Sequence, residues 1–97
     1  MNETVTDDFL RASIQWALKG NTPDTLLEVR FQNGPNIILE FVFDGPIQED
    51  DRETASIAET EILSDLPTPL AVASDGRFIE MKDATPGLQV AFRRDSP

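Results

Sequence analysis

Residues 27–43, LEVRFQNGPNIILEFVF, decide how this chain folds. Leu27, Val29 and Phe31 alternate with Glu28, Arg30 and Gln32, the two-residue period of a half-buried strand. Asn33-Gly34-Pro35-Asn36 reads as a turn, and Ile37, Leu39, Phe41 and Phe43 carry the period onward. The stretch is therefore an antiparallel hairpin. Both apolar sets share one face only if the numbers of facing residues sum to an even value, because a one-residue slip turns every side chain over. A sum of 70 sets Arg30 opposite Glu40, and a sum of 68 sets Glu28 opposite Glu40. Opposite charges favour the first register.

The other face of the hairpin breaks the pattern. It carries Ile38 and Val42, with Leu26 brought near them, where a one-sided sheet should be polar. These three residues lie either beneath a loop or terminus, or against a second chain.

Upstream of the hairpin, residues 4–19 have the pattern of an amphipathic helix. Thr4 or Thr6 caps it, and Asp7 and Asp8 fall in the first turn, where the helix dipole favours acids. Leu10, Ser13, Ile14, Ala17 and Leu18 share a core-facing arc. Lys19-Gly20 has the form of a C-terminal stop with a left-handed glycine cap. Phe9 and Trp16 lie together at the edge of the stripe, where they cover one end of the sheet or form a binding ledge.

Downstream, a second helix is expected from Asp50 or Asp51 to Leu66, with Asp50 and Glu53 as a capping pair and Pro67 as the stop. Ala55, Ala58, Ile62 and Leu66 form its inner arc, and the two alanines allow a close approach to the sheet. Residues 70–74 and 77–82 flank Asp75-Gly76, the signature of a tight two-residue hairpin. Leu88, Val90 and Phe92 then alternate with Gln89, Ala91 and Arg93 in a last strand, and residues 94–97 read as a frayed tail. The expected architecture is α+β, in the order α-β-β-α-β-β-β. Two helices pack on one face of a mainly antiparallel four- or five-stranded sheet. Ninety-seven residues suit a single domain, 1–97.

Composition narrows the function. The chain has no cysteine and no histidine, which removes a disulfide framework, thiolate metal sites and the commonest general base. Nothing resembles a membrane span of ~18 apolar residues or a basic-then-apolar leader, so a cytoplasmic location is expected. The formal charge is −10, and residues 40–66 hold nine of the eighteen acids against one base, Arg52. That balance opposes direct contact with nucleic acid or an anionic membrane and suits a basic protein partner. Each of the five glycines sits alone at a turn or cap, without a phosphate-binding loop, and no serine has a nucleophile context. Glu49, Asp50, Asp51 and Glu53 lack the alternating spacing and central glycine of a calcium loop, so neither metal nor cofactor is expected.

In size, charge and lack of cysteine the chain resembles small acidic immunity or antitoxin proteins that neutralise nucleases. The resemblance is one of composition and assigns no residue a role. It implies a non-catalytic inhibitor of a basic toxin. Contact residues are then expected among Glu49, Asp50, Asp51, Glu53, Glu59 and Glu61, with Phe9 and Trp16 as apolar anchors. The alternative is a self-associating or accessory domain, a homodimer built on Leu26, Ile38 and Val42. A small enzyme or metal-dependent binder is the third reading.

Overall fold

The computed structural model describes residues 5–94. The Thr4 alternative for the first cap and the tail residues 95–97 lie outside them. The order is α1 (Asp7–Leu18), β1 (Leu26–Gln32), β2 (Ile37–Phe43), α2 (Glu49–Ser64), a short α3 (Thr68–Val72), β3 (Ser74–Glu80), a 3-10 turn (Met81–Asp83) and β4 (Gln89–Arg93). The fold is α+β, with two main helices over a four-stranded mixed sheet of order β3-β2-β1-β4.

The central hairpin has the expected register. Arg30 faces Glu40, Phe31 faces Leu39 and Val29 faces Phe41. Val29, Phe31, Ile37, Leu39, Phe41 and Phe43 are fully buried and meet Leu10, Ile14, Ala17 and Leu18 of α1 and Ala55, Ala58 and Ile62 of α2. Both helices thus cover one face. Thr6 caps α1, its hydroxyl accepting from the Phe9 amide at 3.0 Å. Gly20 takes no left-handed conformation, and the far end of the helix is closed by side chains. Asn21 Nδ2 donates to the Ala17 carbonyl at 3.1 Å and the Thr22 hydroxyl to that of Leu18. Helix α2 begins at Glu49, earlier than expected, and Gln48 at its cap makes no side-chain cap bond.

The tight hairpin expected at Asp75-Gly76 does not form. Residues 68–72 wind into α3, and Asp75-Gly76 lies inside β3, which pairs in parallel with β2. A parallel neighbour needs a long crossover rather than a tight turn, and α2 with α3 supplies it. Bulges alter two strands. One between Leu26 and Glu28 turns Leu26 to the helix side, opposite Phe43. Another between Val29 and Arg30 places Val90 opposite Arg30 while Phe92 stays opposite Val29, so β4 does not alternate simply. Beyond it, the Arg94 amide donates to the Leu27 carbonyl at 2.8 Å.

Of the two readings of the apolar back face, the geometry agrees with cover by a loop. Leu26 and Val42 are fully buried and Ile38 is half-buried, so the three do not make an open patch. To reach β4 from β3, residues 81–88 must pass behind β2 and β1. Thr85 fastens this crossover, donating to the fully buried Glu40 from its amide (2.9 Å) and hydroxyl (2.6 Å). Arg77 Nη1 stands 3.7 Å from the same carboxylate. Arg30, although opposite Glu40, pairs along its own strand with Glu28 at 2.9 Å, and Arg93 adds a second contact to Glu28 at 3.2 Å. Burial pushes the Glu28 carboxyl up, but hydrogen bonds and charge from Arg30 and Arg93 outweigh it and hold the group below its usual range.

Candidate functional site

The outer side of the helix layer carries most of the residues expected to meet a partner. Helices α1 and α2 run antiparallel, tied at two levels. Ser13 Oγ donates to Asp65 Oδ2 at 2.7 Å, and Asn21 Nδ2 donates to Glu61 Oε2 at 2.7 Å. Ser13 is buried within the apolar stripe of α1, and Asp65 is the C-cap of α2.

Large apolar side chains stand out of this layer. Trp16 is 69% exposed, Ile57 of α2 52% and Phe9 45%. The Lys19 ammonium sits 5.0 Å from the centre of the Trp16 ring, a cation–π contact that leaves most of the indole open. Trp16 and Phe9 therefore do not close the end of the core.

The six expected acidic contacts separate into two groups. Glu49, Asp50 and Glu53 are exposed at the start of α2. The other three contact the rest of the fold, Asp51 and Glu59 half-buried and Glu61 exposed. Asp51 accepts from the Thr25 hydroxyl, anchoring the first turn of α2 to the start of β1. Glu61 holds Asn21 as above. Glu59 lies directly over Gly76, where an added Cβ would stand 1.5 Å from its Oε2. Burial, and then the charge of Asp75, raises the Glu59 carboxyl above its usual range.

Distance separates the expected residues further. At about 1.5 Å per residue, the exposed acids at residues 49–53 lie roughly 20 Å along α2 from Asp65. Phe9 belongs to the Asp65 end. There Val5, Thr6, Phe9, Asp65 and Pro67 line an open depression of about 360 Å³. Asp65 and Pro67 were not anticipated as surface features. The signal that could have found Asp65 is Ser13, since a hydroxyl in an apolar stripe needs a partner from the facing element.

Among the described residues no group of three or more acidic side chains is arranged to hold a metal ion. No helix of the described residues is long and apolar enough to cross a membrane. What the layer offers is exposed aromatic and aliphatic side chains interleaved with carboxylates.

No curated protein matches the sequence. Residues 7–91, from the first residue of α1 into β4, match the family described as MafI2 immunity protein. The chain belongs to the MafI2 immunity protein family, and it is an inhibitor of the immunity type whose partner is a toxin.

Proposed function

We propose that the chain neutralises a basic toxin by covering part of its surface with the outer side of α1 and α2, without catalysis of its own. The observation that supports this reading best is Trp16. A tryptophan left 69% exposed on a helix whose opposite side is fully packed is a ready anchor for a partner. The acids of α2 add negative charge to the same side of the layer. Glu49, Asp50 and Glu53 speed encounter with a basic surface and orient it, while Glu61 stands closer to the anchor, at the level of Asn21. The toxin is bound as protein, with no part for nucleic acid, a membrane, a metal or a cofactor, and the encounter is in the cytoplasm. A homodimer through the first hairpin is not favoured, because Leu26 and Val42 are already consumed by the core and the crossover.

The test uses the toxin that the chain binds. Trp16→Ala should weaken the complex about 30-fold, the loss of roughly 2 kcal/mol typical of a tryptophan anchor. Reversing Glu49, Asp50 and Glu53 to lysine should slow association and flatten the salt dependence, with thermal stability little changed. Affinity of the unaltered chain should fall at least about tenfold between about 0.05 M and about 0.5 M salt, as screening shortens the reach of the charges. A complex indifferent both to salt and to Trp16→Ala would defeat the proposal.

A further inference from the structure

The C-terminal end of α2 is electrostatically unbalanced. Sixteen residues of helix point their negative dipole end at residues 61–65, where cations are stabilising and acids are not. Yet the last turn has no base, and Glu61 and Asp65 both lie there. Among the described residues, neither takes part in an ion pair. Asp65 is also held in place. Ser13, buried in α1, donates to Oδ2 and so fixes the carboxylate at the edge of the depression lined by Val5, Thr6, Phe9 and Pro67.

We infer that this depression is a socket for one arginine side chain of the toxin. The inference rests on the immunity reading for the source of that arginine, and it adds where and how the partner is gripped. A guanidinium answers each feature. It supplies the charge that the helix terminus and Asp65 lack, and it can hydrogen-bond the fixed Asp65 carboxylate. Its flat face can lie on the half-exposed Phe9 ring, and its aliphatic stem suits the apolar walls of Val5 and Pro67. An apolar side chain would fill the depression and leave Asp65 desolvated beside it. A lysine would satisfy the charge with a compact ammonium but without the planar stacking.

The socket can be tested without the toxin. N-acetyl-arginine amide titrated into the isotope-labelled full chain should shift the amide resonances of Phe9, Asp65 and Leu66. N-acetyl-citrulline amide, of the same shape but uncharged, should not. Asp65→Asn keeps an acceptor for Ser13 and should abolish the shifts while the melting temperature stays close to that of the parent. Phe9→Leu should weaken them severalfold. Equal shifts with both ligands, shifts centred on residues 49–53, or none at all would overturn the socket. With the toxin, Asp65→Asn should weaken binding at least about tenfold, as removal of a charged hydrogen-bond partner does. Unchanged binding would overturn the socket and leave the immunity reading intact. Failure of the parent chain to bind the toxin would overturn that reading, and the arginine titration would still decide the socket.

Discussion

Glu40 is fully buried behind the sheet, yet it accepts two hydrogen bonds from Thr85 and stands beside Arg77. Removing one member of such a set is costly because the others stay behind without partners. Glu40→Ala should destabilise the protein by about 3 kcal/mol. Glu40→Gln, which keeps an acceptor oxygen for Thr85, should cost about 1 kcal/mol. Urea unfolding of both variants checks the difference. Glu59 behaves in the opposite way. Its carboxyl is raised by burial and by Asp75, so its ionised form opposes folding at neutral pH. The folded state therefore gains stability as pH falls and this group takes up its proton, and loses that gain as pH rises through its raised folded value. Glu59→Gln should raise the melting temperature at pH 7, and the difference should vanish below the ordinary carboxylate range. A benefit that persists in acid would point to a cause other than ionisation. At this scale the sequence identified Arg30 opposite Glu40 correctly but not their bonds. Facing positions follow from period and charge, whereas Glu40's true partner, Thr85, lies 45 residues away across a crossover that no local pattern describes.

Among the elements, the hairpin and the two long helices followed from residue pattern because their apolar positions repeat at a fixed period and their ends carry stop signals. The second half did not. Asp75-Gly76 looked like a turn because that pair favours one, but Gly76 has another use: it leaves the room in which Glu59 of α2 lies against β3. Likewise Pro69, two residues past the Pro67 stop, sits in the first turn of α3, where its missing amide is harmless. Two bulges then shifted Leu26 and Val90 from their expected faces, and a bulge has no signature in an alternating apolar run. The caps are simpler to test. Thr6→Ala removes the side chain that accepts from the Phe9 amide at the start of α1 and should cost about 1 kcal/mol in thermal unfolding. Because Phe9 is on that first turn, the same change should also broaden the resonances of residues 6–10 if the turn frays. A stability loss below a few tenths of a kcal/mol would show that packing alone holds the turn.

For the whole molecule, the division of labour is between its two sides. The helix layer exposes Trp16, Ile57 and Phe9 among acids, while the back of the sheet neutralises Glu28 and Glu40 with arginines and Thr85 beneath the crossover. The resemblance in composition anticipated an inhibitor of the immunity type with a toxin partner. It could not distinguish acids that face solvent from acids already committed: Asp51 and Glu59 share a helix with Glu49, Asp50, Glu53 and Glu61 and differ only in what the other elements bring to them. The two sides also make opposite demands on a partner, since a toxin docked on the helices leaves Met81, Arg93 and Arg94 in water. Amide cross-saturation from unlabelled toxin to the labelled chain measures this directly. The expected result is saturation along the outer faces of α1 and α2, strongest around Trp16, with residues 81–94 unaffected. Saturation confined to residues 81–94, with Trp16 untouched, would contradict it.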